Sequence, residues 1–263
     1  MARSYTHEVV IIGGGAAGIA TAASLLKRRP LLDIAIVEPS EHHYYQPGWT
    51  MVGGGVFDAP VTCRPMASVM PKRTRSIRQA AATFQPEDNQ LTLRDGSTIA
   101  YRMLIVAPGI RLAWEQIEGL EQTLGRNGVT SNYRYDLAPY TWNLVRTLRS
   151  GRAIFSQPPM PIKCAGAPQK AMYLSCDAWA DRGVLGDIRH HDRKPARLAR
   201  QGDERGLAMG RLVSVPVSLA IEAVLNREIA PGVSAAPSDP KLVGRWLGEV
   251  QGLAQRLMRV DLA

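Results

Sequence analysis

Near the amino terminus the apolar positions run without a break, Val9-Val10-Ile11-Ile12, and then give way to glycine and alanine. An unbroken β-branched run of this kind fits a strand buried on both faces. Over residues 20–28 the apolar positions return at helical spacing, and Asp33-Ile34-Ala35-Ile36-Val37 is a second apolar run. Strand, helix and strand in that order predict a βαβ unit with parallel strands. Weaker alternation over residues 80–84, 90–93 and 98–101, with Asp95-Gly96 as a turn, predicts a small antiparallel meander. Met103-Leu104-Ile105-Val106-Ala107-Pro108-Gly109 predicts one more buried parallel strand, ending at a glycine turn.

Residues 112–131 show no period. Leu137, Tyr140, Leu144, Val145 and Leu148 then form a near-helical stripe over 136–150, with Gly151 as its C-cap. Ala153-Ile154-Phe155-Ser156-Gln157 reads as a strand. Pro168 suits the first turn of a helix that runs to about Arg182 and closes at Gly183. The fold class expected is α/β. A Rossmann-like dinucleotide-binding domain covers residues 1–150, an incomplete second nucleotide-binding-type domain covers 151–188, and an atypical helical segment covers 189–263. In that last segment a basic polar linker (189–205) leads to an amphipathic helix (212–226), a loop (231–240) and a closing helix (241–258).

Composition narrows the picture only a little. The chain has 263 residues, 45% apolar and 21% charged, as in globular proteins with a substantial core. A net charge of +9 favours anionic partners such as nucleotides or acidic membrane surfaces; nucleic acid is not expected. Cys63, Cys164 and Cys176 are too few and too scattered for a disulfide scaffold or a zinc cluster. The early apolar run is too short for a signal peptide, and no stretch approaches the ~20 apolar residues that span a bilayer. These features point to a soluble or peripheral protein in a reducing compartment.

Gly13, Gly15 and Gly18 stand at G-x-G-x-x-G spacing between the first strand and its helix. In that setting the glycines serve a tight turn, a close approach to a pyrophosphate, and close helix–strand packing. Glu38 ends the second strand, twenty residues beyond Gly18, where a carboxylate accepts from ribose hydroxyls. The motif does not separate FAD from NAD. Residues 39–55 read as a proline- and glycine-rich loop whose aromatic and amide groups suit a planar ligand. His42 and His43 would point to opposite sides of extended backbone, so no metal site is expected. Cys63 reads as a structural or incidental loop residue, and the basic run over 64–78 as a solvated face. Cys164 lies just before a helix N-terminus, beside Lys163 and near Lys170. Dipole and cations there favour the thiolate, which makes Cys164 the candidate catalytic residue. Cys176 falls mid-helix among Met172, Leu174 and Trp179, as a core residue would.

Three strings are long and unusual: His43-Tyr44-Tyr45-Gln46-Pro47-Gly48-Trp49-Thr50, Arg64-Pro65-Met66-Ala67-Ser68-Val69-Met70-Pro71, and Pro161-Ile162-Lys163-Cys164-Ala165-Gly166-Ala167-Pro168-Gln169-Lys170. Through them residues 8–182 resemble the sulfide:quinone oxidoreductases, especially the branch with the mitochondrial enzymes. The resemblance implies FAD rather than NAD at Gly13, Gly15, Gly18 and Glu38. It makes Ala16 and Ala17 backbone-contacting positions, Gln46 a flavin-contacting one, and Ala81 one that meets the adenine through its main chain. Ala107 and Gly109 belong to a strand-to-turn segment that returns to the dinucleotide in many flavoproteins. Cys164 matches one of two redox cysteines. In that family sulfide attacks a cysteine disulfide, and two electrons pass through the flavin to a membrane quinone. A position in the cytoplasm, or peripheral on the cytoplasmic face of the inner membrane, follows.

The resemblance ends after about Ile188. Family members are longer, complete a second nucleotide-type domain, and carry a glycine-aspartate segment, the second redox cysteine and an amphipathic membrane-binding tail. The C-terminal end instead resembles, weakly, saccharopine-dehydrogenase-like proteins. The expectation is a truncated, impaired FAD-dependent oxidoreductase of the sulfide:quinone type. The alternatives are a non-enzymatic flavin- or nucleotide-binding remnant and an NAD(P)H-dependent flavin reductase.

Overall fold

The computed structural model of the chain describes residues 3–156, 164, 166–192, 223, 226 and 244–245. The expected loop over 231–240 and nearly all of the expected helices over 212–226 and 241–258 lie outside the described residues. In chain order the elements begin with β1 (Ser4–Ile12), α1 (Ala16–Arg28), β2 (Ile34–Val37), β3 (His42–Tyr44) and α2 (Trp49–Gly53). They continue with β4 (Cys63–Pro65), α3 (Met66–Val69), β5 (Thr74–Ile77), β6 (Ala81–Gln85), β7 (Gln90–Leu93) and β8 (Thr98–Val106). The last are α4 (Leu120–Thr123), α5 (Ala138–Thr147), β9 (Gly151–Phe155), α6 (Ala167–Asp181) and β10 (Ile188–Asp192). The elements fall into two compact units: β1, α1, β2 and α3 to β8 in the first, β3, α2, β4 and α4 to β10 in the second.

The first unit is built on a six-stranded sheet in the order β5-β2-β1-β8-β7-β6. β5, β2, β1 and β8 are parallel, while β8, β7 and β6 form the antiparallel meander. Successive side chains of a strand point to opposite faces, and both faces of β1 and β2 are covered. Val9, Ile11, Ile34 and Ile36 pack with Ala22 and Leu25 of α1. Val10, Ile12, Ala35 and Val37 pack on the other side with Ile77, Leu91, Leu93, Ile99 and Tyr101. This double burial explains why the sequence there is apolar without alternation.

The second cluster also shows how the sheet closes over itself. β5 and β6 lie at opposite ends of the strand order, a width of about 24 Å if the sheet were flat. Yet Ile77 and Ala81 are four peptide steps apart, a reach of no more than about 14 Å. The sheet therefore coils, and the meander covers one face of its own parallel half.

β8 corrects one expectation. Two strands were expected over 98–101 and 103–109, but residues 98–106 form one strand paired with β1 from Thr98 to Val106. Arg102 interrupts the apolar pattern without interrupting the strand: its guanidinium reaches out to Glu8 at 3.7 Å, both side chains exposed.

In the second unit β9 and β10 pair in parallel around α6, over a core of Val145, Trp179 and Ile188. β10 carries the sheet to Asp192, past the point where a polar linker was expected to start, because backbone pairing with β9 needs no apolar side chain. Gly151 does not cap α5. It opens β9 at φ +112°, and the end of α5 is closed by side chains instead. Trp179 Nε1 donates to Val145 O at 2.9 Å, and Arg182 donates to Val145 O at 2.8 Å and Leu148 O at 2.7 Å. The expected loop over 39–55 also contains α2, which starts behind Pro47 and buries Trp49, Thr50 and Val52.

Candidate functional site

The glycine turn is shaped by what surrounds it. Gly13 has φ +105°, and a Cβ there would stand 2.7 Å from the carbonyl carbon of Ala107. Ala107 in turn donates to Ile12 O at 2.8 Å, so the chain leaving β8 lies directly against the turn. Gly18 is buried, and a Cβ on it would run into the carbonyl of Gly13. Gly15, Ala16 and Ala17 are exposed, and nothing lies within 4 Å of a Cβ placed on Gly15. Gly15 is the N-cap of α1, with no side-chain cap and no acidic residue in the first turn. The first N–H groups of α1 and the positive end of its dipole therefore face open space, an arrangement suited to an anionic group.

Glu38 stands at the carboxyl end of β2, half-buried. Its Oε2 accepts from Gly14 N–H at 2.7 Å and its Oε1 from Ser40 N–H at 2.8 Å. A carboxylate has about four acceptor sites, so each oxygen keeps capacity for a ligand hydroxyl. Sequence reasoning passed over Gly14. A Cβ there would meet Glu38 Cγ at 2.7 Å, so a side chain at 14 would drive the carboxylate off. The signal was present as the middle glycine in Gly13-Gly14-Gly15.

The structure thus brings Gly13, Gly15, Ala16, Ala17, Gly18, Glu38 and Ala107 together at the carboxyl ends of β1, β2 and β8. Gly109 follows in the same unit, exposed at φ +80°. Ala81 opens β6, paired to Leu93. Gln46 and Cys164 belong to the second unit.

Gln46 begins a single 3-10 turn ahead of α2 and is half-buried. Beside it is an aromatic cluster: the rings of Tyr44 and Tyr135 are 4.9 Å apart, Tyr44 and Trp49 6.0 Å, Trp49 and Tyr135 6.3 Å. Cys63 is not an isolated loop residue. It lies on β4 in the small β3–β4 sheet and hydrogen-bonds with the Tyr44 side chain. Partial desolvation, then the neighbouring Cys63 and Tyr135, raise the Tyr44 phenol above its ordinary pKa. On β3, His42 is exposed and His43 half-buried, as alternation requires. Among the described residues no group of His, Cys, Asp and Glu could hold a metal ion.

Cys164 is exposed, in left-handed backbone at φ +59°, two residues ahead of the α6 N-cap Gly166. Its carbonyl accepts from Ala167 N–H at 2.9 Å, with the Tyr133 hydroxyl 3.5 Å away. The Tyr133 phenol is pushed up, first by burial and then by Cys164. Lys163 lies outside the described residues; Lys170 is exposed in the first turns of α6. Cys176 is half-buried, and burial pushes its thiol up. No helix among the described residues is long and apolar enough to cross a membrane.

A parallel sheet with an open glycine turn and a carboxylate on the next strand defines a dinucleotide-binding protein. Residues 7–159 match the family described as pyridine nucleotide-disulphide oxidoreductase, and the chain belongs to that family. Within it the similar proteins are sulfide:quinone oxidoreductases. The mitochondrial one of Dictyostelium discoideum is 41% identical over 184 residues, 69% of this chain and 41% of the relative. That of Mus musculus is 41% identical over 169 residues, 64% of this chain and 38% of the relative. That of Schizosaccharomyces pombe is 33% identical over 205 residues, 70% and 44% respectively. The chain spans less than half the length of these relatives. The X-ray structure of the sulfide:quinone oxidoreductase from Aquifex aeolicus matches with a TM-score of 0.60 at 23% identity, over 86% of this chain and 49% of that one. That likeness bears on the fold, which is the Rossmann-type α/β fold expected.

Proposed function

We propose that the chain binds FAD and is the flavin-binding portion of a sulfide:quinone-type oxidoreductase, with Cys164 as one of its redox cysteines. The observation that carries the dinucleotide part of this reading is the uncapped α1 N-terminus open above Gly15, with Glu38 held beside it by Gly14 and Ser40; the family selects FAD. The N–H groups of the turn would hold the pyrophosphate, and the free acceptor sites of Glu38 the adenosine ribose. The family resemblance adds Ala81 at the adenine, Ala107 and Gly109 where the chain returns from β8, and Gln46 at the flavin. FAD, when bound, supplies a two-electron acceptor.

For the sulfur chemistry, hydrosulfide attacks a disulfide that includes Cys164. One S–S bond forms as a persulfide, the old one breaks, and its electron pair leaves on the partner thiolate. The outer sulfur of the persulfide would pass to a nucleophilic acceptor, the two cysteine thiolates would re-form their disulfide, and the two electrons released would go by way of the flavin to a quinone, which calls for peripheral contact with a membrane, on its cytoplasmic face. The disulfide needs a second cysteine. Cys63 is hydrogen-bonded to Tyr44, and Cys176 is half-buried with its thiol pushed up. Neither suits the partner role. This observation favours the second reading, that the chain alone binds flavin and turns over sulfide slowly or not at all.

The test is the absorbance of the purified protein with FAD, before and after sulfide and a soluble quinone. The expected result is a stoichiometric flavin spectrum with little quinone reduction. A folded protein that takes up no FAD defeats the cofactor assignment. Brisk turnover that disappears in Cys164→Ser defeats the impaired-enzyme part and shows that another cysteine completes the pair.

A further inference from the structure

Met66 is buried in a run whose neighbours Arg64, Pro65, Ala67 and Ser68 are all exposed. It is 8% exposed, yet among the described residues it belongs to neither hydrophobic cluster of the first unit. Its side chain has a different neighbour. A Cβ placed on Gly14 would meet Glu38 Cγ at 2.7 Å, Glu38 Cβ at 2.9 Å and Met66 Sδ at 3.2 Å. The thioether and the stem of the carboxylate therefore border the same small space above Gly14.

The backbone of Met66 grips the Glu38 segment as well. Met66 opens α3, and the first N–H of a helix has no partner within it. Here it donates to Glu41 O at 2.7 Å, while Glu38 N–H donates to Ile77 O at 3.0 Å. These contacts fix where the Glu38 backbone stands, but not its long side chain. Gly14 and Ser40 donate to the carboxylate, yet such bonds are worth little net while water can replace them. They also work against the entropy of ordering a flexible side chain. An apolar group packed on the stem shuts out water and removes other rotamers, so packing decides whether the carboxylate stays in place.

We propose that Met66 is a positioning residue: its side chain holds the Glu38 carboxylate where it accepts from the adenosine ribose hydroxyls. This rests on the reading of Glu38 given above, and every residue it uses lies in the first unit. A methionine that only filled space would affect stability, or all ligands alike. One that positions Glu38 affects the recognition of the hydroxyls in particular.

ADP and dideoxy-ADP, which lacks both ribose hydroxyls, are titrated separately into apoprotein of the parent, Met66→Ala, Met66→Val and Met66→Leu. The parent is expected to prefer ADP at least about tenfold, because hydrogen bonds to a charged acceptor are among the stronger ones. In Met66→Ala the preference should fall to about threefold or less, with dideoxy-ADP bound much as before. Met66→Leu fills nearly the same volume and should keep the parent's preference within about twofold. A parent-like preference in Met66→Ala overturns the proposal, even if both ligands bind more weakly. Met66→Val also lacks the sulfur and terminal methyl and should lose the preference as Met66→Ala does; its ratio decides the matter if Met66→Ala does not fold. A ratio in Met66→Leu no better than in Met66→Ala overturns the packing account. A parent that binds the two ligands equally overturns the ribose role of Glu38 and this inference with it. A parent that prefers ADP but takes up no FAD overturns the FAD reading alone, and leaves Met66 in its role beside another adenine dinucleotide.

Discussion

Replacing Gly15 by alanine places a methyl group in the open space above the α1 N-terminus, and the structure says what that does to folding and to binding separately. Gly15 has φ −73° and ψ −175°, extended backbone that alanine adopts without strain. Nothing lies within 4 Å of the new Cβ. Alanine is a poorer N-cap than glycine by about 0.5–1 kcal/mol, and the stiffer unfolded chain offsets about 0.4–1 kcal/mol. The apoprotein should therefore melt within about 3 °C of the parent. The same change at Gly13 is different in kind. There φ is +105° and the Cβ meets the Ala107 carbonyl, which adds backbone strain of about 1–3 kcal/mol to an overlap of about 1–3 kcal/mol. At about 2–4 °C per kcal/mol for a chain of this size, Gly13→Ala should melt on the order of ten degrees lower. FAD binding reverses the contrast. The methyl on Gly15 keeps the pyrophosphate from the N–H groups, removing charge-assisted hydrogen bonds of about 1.5–3 kcal/mol each, so affinity should drop at least tenfold. Thermal melts of the apoproteins and flavin-fluorescence titrations read the two effects. The reasoning fails if Gly15→Ala melts as low as Gly13→Ala, or if it binds FAD like the parent.

Three further outcomes are expected. Alkylation of the native protein at pH 8 should label Cys164 first and Cys176 last, because the first is exposed and the second half-buried with its thiol pushed up; peptide mass mapping over time reads the order, and early labelling of Cys176 would contradict it. Trp179→Ala should cost about 3–5 kcal/mol, since the ring is 1% exposed and its N–H closes α5. Arg182→Ala, which frees two carbonyls at the same helix end, should cost about 1–3 kcal/mol. Denaturant unfolding checks both, and a neutral Trp179→Ala would refute the account of that core.

How much of this was legible beforehand depended on the range of the interaction. The Val9–Ile12 run, the helix behind it, the second strand and the Asp95-Gly96 meander were all readable, because period and turn chemistry are local properties of the chain. So was the place of Gly13, Gly15, Gly18 and Glu38 at the ends of β1 and β2, which follows from a short spacing between one strand end and the next. The position of Cys164 just before a helix was legible too, again a matter of a few residues.

What tertiary structure alone decided involves residues far apart in sequence. That Gly14 must lack a side chain follows from Glu38 folding back onto its N–H. That β5 and β6 approach each other follows from a sheet that coils to cover its own face. Gly151 looked like a helix cap because a glycine follows the helical stripe, yet Trp179 and Arg182 arrive from the C-terminal end of α6 to satisfy carbonyls there. β3, α2 and β4 join α4 to β10 in one unit while the chain between them returns to the other, a division no local pattern carries. The burial of Met66 belongs to this class as well. Sequence shows that a methionine is present, but only packing shows that it is buried with its sulfur beside Gly14 and Glu38.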